Sequence, residues 1–346
     1  MSDNIFRDEL KRIKPLVWNV YRQYLPINEP NEFYDMVRDY PERQGKYFRA
    51  GLVLLANKLY GGNENDAYLS AACMQASEDW LLIHDDIEDH SEERRSTKEK
   101  YKPTLNALYG DELAINAGDA LHAIMWQMLA DNARKFNDDR GWRVFDKMQD
   151  VIRVTIEGQY QELMWIRNNR LGISEQEYYE MIDKKAGYYT VVAPLSLGAI
   201  MAGVLDEDLE QIKKWGMFFG RAFQIWDDVM NLTVNSEVQG KEIAGDIWEG
   251  KRTLIMIHLF THCNLQERAY ISNIYSLERK FKTQKQIAYV LDAMRNYDSI
   301  KYAMEKAKEF SVVASDEFAT IYKNNEEVDA VETIKSAINF VVNRER

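Results

Sequence analysis

The chain has 346 residues, 46% of them hydrophobic, with only 6 Pro and 17 Gly, which is material for a sizeable core with few breakers of regular structure. A net charge of -12 excludes a general nucleic-acid binder, because a phosphate backbone needs a basic face to replace its counterions. Two distant cysteines, Cys73 and Cys263, exclude a disulfide framework and a thiolate zinc site; with no signal-peptide pattern and no apolar run of membrane-spanning length, a cytoplasmic protein without an integral membrane segment is expected.

Apolar residues recur at spacings of three and four along most of the chain, and strand-like alternation is scarce. No linker or low-complexity tract divides it, so residues 1–346 are expected to form one all-α domain, a bundle of long, mostly antiparallel helices. In chain order the helices are predicted at 4–23, 45–61, 65–90, 111–135, 140–168, 174–204, 206–233, 250–262, 283–296, 299–323 and 328–344. Breaks fall at Gly61-Gly62-Asn63, in the charged run after Asp89, at Asn137-Asp138-Asp139, at Gly172 and around Asn235.

The second helix opens on QGKYFR, which offers Gly45, Lys46 and Arg49. The third ends in HDDIED, where Asp85 and Asp89 stack at i and i+4 with Asp86 about 100° round. Like charges so placed repel, and the strongly apolar stretch before them suggests the mouth of a buried channel. Arg94 and Arg95 follow directly. IDKKAGYY adds Lys184 and Lys185, FQIWDDVMN repeats the acidic pattern with Asp227, Asp228 and Asn231, and GKEIAGDIWEGKRT places Lys241, Lys251 and Arg252 around Asp246.

Two helices that each end an apolar face in carboxylates could grip a hard cation, and Mg²⁺ with water and phosphate oxygens completing its shell suits such a set. The plain alternative is a solvated acidic surface. A di-iron bundle wants paired Glu-x-x-His motifs, and none of the five histidines has a Glu three residues before it. Arginine forks and lysine point charges suit phosphate oxygens; together the acids and bases describe a site for a diphosphate on magnesium and a second anion pocket without metal.

DDIED followed by RR, FQIWDDVMN, QGKYFR, the AGD at 117–119, the GQ at 158–159 and GKEIAGD...EGKRT stand in the order and approximate spacing of the trans-isoprenyl diphosphate synthases. Over roughly residues 40 to 260 the chain resembles that family, which implies helices around a deep central cavity and a homodimer. The resemblance implies that Asp85, Asp89 and Asp227 hold three Mg²⁺ ions on an allylic diphosphate, supported by Asp86 and Asp228. Arg94, Lys185 and Lys251 would bind that diphosphate, Lys241 is a further substrate-binding candidate, and Gln224 would bind substrate and steady the carbocation with Lys185. Gly45, Lys46, Arg49 and Arg95 would frame the pocket for isopentenyl diphosphate. Ser77, Trp80 and Leu81 are the chain-length candidates, the indole as a floor one turn below the metals, giving a C15 or C20 product with C20 favoured.

Several positions depart from the pattern. Glu78, seven residues before Asp85, stands where the family carries His or Gln; a carboxylate there repels a diphosphate unless it is protonated or turned to a basic partner, and otherwise weakens the second substrate. Lys185 is followed by Ala186 where a Thr is usual, Ser96 stands for a glycine with a longer link to Pro103, and Asn231 and Glu162 stand for aspartates. These leave open a catalytically impaired regulatory subunit, and a class I terpene cyclase, which needs the metal ligands but no isopentenyl pocket.

Overall fold

Apart from one isolated antiparallel bridge, Glu93 to Pro103, the regular structure among the described residues is helical. The computed structural model describes residues 2–94, 102–233 and 244–343, with side chains from Ile5 onward. The order is α1 (Ser2–Tyr21), α2 (Asn31–Arg43), α3 (Phe48–Leu59), α4 (Glu64–Glu88), α5 (Leu105–Tyr109), α6 (Asp111–Lys135), α7 (Arg140–Arg167) and α8 (Glu175–Ile182). A π-helix (Asp183–Val192) follows, then α9 (Ala193–Met201), α10 (Asp206–Thr233), α11 (Gly245–Glu249), α12 (Leu254–His262), α13 (Leu265–Tyr275), a 3-10 turn (Arg279–Phe281), α14 (Gln284–Asn296), α15 (Ser299–Ile321) and α16 (Val328–Val341).

Local chemistry sets the ends. Asn63 accepts from the Asn65 N–H to cap α4, and Ser174 with Glu177 and Asn264 with Glu267 form reciprocal capping boxes on α8 and α13. The buried cluster runs from Phe6 to Val342, with Trp215 and Phe219 of α10 fully enclosed. α10 lies against α15 and the π-helix, α4 against α6 and α3, α3 against α9, and α7 against the π-helix. The π-helix thus lies against α10, and it reaches α4 through the Ser77–Tyr189 contact. Among the described residues no helix is long and apolar enough to cross a membrane.

Four helices were not anticipated: α2, α13 and the short α5 and α11. α2 buries Met36, Val37 and Tyr40 on one face with Pro41 in its last turn, and α13 follows its capping box. The helix expected from residue 45 starts at Phe48, because Gln44 (φ 47°) and Tyr47 (φ 59°) are left-handed and hold QGKY in a tight turn. The long helix expected at 174–204 is a continuous rod with a π-helical middle. Pro194 in its last segment has no N–H to give a preceding turn, and a widened turn absorbs the missing bond.

Candidate active site

At the C-terminal end of α4 the three aspartates are not equivalent. Asp86 is fully buried and accepts the Tyr40 hydroxyl from α2 and the Arg94 guanidinium, whose Nε lies 2.8 and 3.0 Å from its two oxygens. The same guanidinium reaches Asp85 Oδ2 at 3.3 Å. Arg94 is thus the buried counter-ion of Asp86 and borders Asp85. Its backbone is fixed as well: Arg94 N–H donates to Lys102 O (3.0 Å), while Arg43 donates to Arg94 O (3.0 Å) and Pro103 O (2.7 Å). Arg95 and Lys241 lie outside the described residues.

On α10, Asp228 is buried and takes hydrogen bonds from Tyr178 Oη (2.9 Å) and Gln224 Nε2 (2.8 Å), while Asp227 beside it is half-buried. With its nitrogen on Asp228, Gln224 keeps its amide oxygen for another partner. Asn231 accepts the Asp246 N–H at 3.1 Å through its side chain and the Ala244 N–H at 3.0 Å through its carbonyl. It thereby anchors the segment that delivers Lys251.

Lys185 and Glu162 pair between the two rows. Burial by itself would lower the Lys185 ammonium, but Glu162, Asp85 and Asp89 outweigh it and hold its pKa above the ordinary value. Glu162 also acts on Asp228, so one ion pair faces both acid rows. Gly158 of the GQ pair makes this possible: a Cβ there would stand 2.4 Å from the Lys185 backbone nitrogen. Gly118 of AGD similarly admits His84, whose ring nitrogen would be 2.4 Å from a Cβ at that position.

Lys251 Nζ lies 2.7 Å from Asp89, 2.8 Å from Glu249 and 3.9 Å from Asp246. Burial, with Glu249 and Asp85, outweighs Lys251 and pushes the Asp89 carboxyl up to about 8. Burial also lifts Asp228 to about 7 against the bonds from Gln224 and Tyr178, with Asp227 and Glu162 adding to the rise. Ionising carboxyls this reluctant puts buried negative charge into the site, which a divalent cation would offset, and an all-oxygen donor set fits Mg²⁺. Among the described residues no group of three or more His, Cys, Asp or Glu side chains is by itself placed to hold a metal ion, so phosphate oxygens and water would have to complete the shell.

Two turns down α4, Glu78 pairs with Arg49 at 3.2 Å. Arg49 also donates to Thr190 Oγ1 (3.0 Å) and lies over the Tyr189 ring, 4.7 Å from its centroid. Lys46 is exposed on the turn before α3, beside Gly45. At about 100° per residue, Leu81 falls about 40° from Asp85 and Trp80 about 140°; the indole is turned towards α6 and packs on His122, 4.5 Å between centroids. Ser77 contacts Tyr189 Oη at 3.1 Å. Arg252 is a buried strut: it donates to Arg170 O, Gly250 O and Asn169 Oδ1. Tyr40, Arg43, Tyr178 and Glu249 were missed as site residues. Only the apolar spacing of α2 hinted at the first two.

The polyprenyl synthetase family profile matches residues 30–294. A geranylgeranyl diphosphate synthase from Sulfolobus acidocaldarius is 30% identical over 309 residues, 89% of this chain and 88% of that protein. An octaprenyl diphosphate synthase from Haemophilus influenzae is 29% identical over 272 residues, covering 79% and 77%. Among solved structures, a geranylgeranyl pyrophosphate synthetase from Pyrococcus horikoshii superposes with a TM-score of 0.82 at 28% identity over 97% of this chain and 98% of that one. A geranylgeranyl pyrophosphate synthase from Corynebacterium glutamicum, complexed with isoprenyl diphosphate and magnesium, shares the fold at 19% identity and a TM-score of 0.81, covering 100% and 99%. With the profile spanning most of the chain and relatives aligned along nearly all of it, the protein belongs to the polyprenyl synthetase family and is a polyprenyl diphosphate synthase, a prenyltransferase.

Proposed function

We propose that the chain is a short-chain trans-prenyltransferase that joins isopentenyl diphosphate to an allylic diphosphate, with a C15 to C20 product and geranylgeranyl diphosphate favoured. The observation that carries this reading is the Lys185–Glu162 pair facing both acid rows, with Lys251 on Asp89. Asp85, Asp89 and Asp227 would hold Mg²⁺, three ions in all, while Asp86 and Asp228, occupied by Arg94 and Tyr40 and by Tyr178 and Gln224, support them. Bound Mg²⁺ supplies charge neutralisation of the leaving diphosphate.

Lys185 and Lys251 place fixed positive charge where the diphosphate oxygens gain charge as the allylic C–O bond breaks, and Arg94 holds Asp85 beside them. The electron pair leaves with the diphosphate. The free amide oxygen of Gln224 faces the cation that remains. The isopentenyl double bond then forms the new C–C bond, and a proton is lost from the adjacent carbon. His84, next in sequence to Asp85, turns instead to Asp119 on α6 at 3.6 Å, so the released diphosphate is the base we assign. The apolar length of α4 keeps water from the cation and houses the tail, with Leu81 directly beneath Asp85.

We place the protein in the cytoplasm as a homodimer. Support for the dimer comes from α7, where Trp142, Ile156 and Tyr160 are 51, 51 and 64% exposed on what helical spacing makes one face. A monomer mass in light scattering would rule it out. The function is tested with purified protein, Mg²⁺, labelled isopentenyl diphosphate and dimethylallyl, geranyl or farnesyl diphosphate, the products sized by chromatography. Linear C15 or C20 diphosphate is expected. A cyclic hydrocarbon from the allylic substrate alone would make it a cyclase, and no turnover would make it a regulatory subunit.

A further inference from the structure

Arg49 is held more completely than a surface cation needs. Its terminal nitrogens contact Glu78 at 3.2 Å and Thr190 at 3.0 Å, its plane covers Tyr189, and Tyr189 is tied in turn to Ser77 at 3.1 Å. Glu78 lies about 20° from Asp85 around α4 and about 10 Å further down the helix axis, so the pair borders the same interior as the acid rows. Glu78 and Asp79 both act on Tyr189, and Asp79 is buried. The pocket assigned to the metal-free diphosphate therefore contains a fixed anion on its best-ordered cation. Isopentenyl diphosphate has to share or take a guanidinium that already has a carboxylate, and no dication screens the two anions there.

We propose that Glu78 is a specificity-determining positioning residue: it holds Arg49 in place and attenuates the affinity for isopentenyl diphosphate. This rests on the synthase reading above. It also bears on product length, since each further condensation needs a new isopentenyl diphosphate to bind before the allylic product leaves. A weakened second site ends elongation early when that substrate is scarce.

The test compares Glu78→Gln, which removes the charge and keeps the shape, with Glu78→Asp, which keeps the charge. In Glu78→Gln the KM for isopentenyl diphosphate should fall about tenfold, with kcat and the KM for the allylic diphosphate little changed and with longer products at limiting isopentenyl diphosphate. Glu78→Asp retains the negative charge in the pocket and should lower that KM by less than Glu78→Gln does. Calorimetry of isopentenyl diphosphate against the metal-free proteins should show the same order. An unchanged or higher KM in Glu78→Gln, or an equal fall in Glu78→Asp, overturns the proposal. Absence of turnover in the parent protein would instead refute the synthase reading, and the calorimetric order would still decide the role of Glu78.

Discussion

Removing the Asp86 carboxylate is the sharpest test of the claim that this residue supports the site from beneath. Asp86→Ala strips a fully buried guanidinium of its main partner and leaves the Tyr40 hydroxyl without its acceptor. Breaking a buried pair from one side costs about 3–5 kcal/mol. At about 2.1 cal/mol/K per residue the chain's melting entropy is about 0.7 kcal/mol/K, so the melting temperature should drop by about 4–7 °C. Removing both charges should return most of that, because the uncompensated ion is gone; Asp86→Leu with Arg94→Met should melt close to the parent protein, less about 1–3 kcal/mol for the stranded Tyr40. Turnover should not return in the double variant, since Arg94 also holds Asp85 at 3.3 Å. Scanning calorimetry and the turnover assay read the two quantities separately. An Asp86→Ala protein that melts within about 1 °C of the parent would show that the carboxylate carries no buried charge.

Asp89 and Asp228 hold protons in the fold at pH values where the unfolded chain, with carboxyls near 3.8, has lost them. Their stabilisation is complete below that value and is lost as pH rises through about 7 and then about 8. The metal-free protein should therefore melt at falling temperature from about pH 4 to 8 and level off above, and Mg²⁺ with pyrophosphate should flatten the slope by binding the ionised forms; a pH-independent melting temperature would remove both shifts. Leu81→Ala should lengthen the product, whereas Trp80→Ala should leave its length unchanged and cost about 3–5 kcal/mol of stability. The reverse pattern would make the indole the floor. Gly158→Ala drives a Cβ to within 2.4 Å of the Lys185 nitrogen, so it should cost about 1–3 kcal/mol and lower kcat about a hundredfold by displacing Lys185. Normal kinetics in that variant would show that the α7 approach does not position the lysine.

The helical frame was legible because period and caps agree. α6 and α10 fall at the expected 111–135 and 206–233, and the acid rows stand at the C-terminal ends of α4 and α10. What the aspartates do individually was not legible, since Asp85 and Asp86 differ only in what lies opposite: Tyr40 comes from 46 positions away on a helix that was not foreseen. The π-helix was equally hidden. Pro194 hints at a disturbed turn, but the close approach of Gly220, where a Cβ would come within 2.4 Å of the Gly187 backbone, joins residues far apart in the chain and could not be read from it. The sequence raised a basic partner as one outcome for Glu78 but could not choose Arg49, 29 positions upstream on another helix.

A pocket that receives polyanions gathers cations that repel one another, and the chain must fold before any substrate arrives. Here four of the cations have carboxylates of their own: Arg94 has Asp86, Lys185 has Glu162, Lys251 has Asp89 and Glu249, and Arg49 has Glu78. Such pairing fixes charged groups in position without ligand, so little reorganisation is left for the moment when charge develops on the leaving group. The pairs are not interchangeable. Asp86 is sealed beneath Tyr40 and Arg94, and nothing from the pocket can displace it without local unfolding. Lys251 and Arg49 keep part of their side chains exposed, 17% and 18%, and an incoming anion can draw on them. In the acid rows a divalent cation can take the carboxylate that Lys251 gives up. At Arg49 the anion must share or take a guanidinium that Glu78 already contacts, which is the competition the Glu78→Gln variant measures.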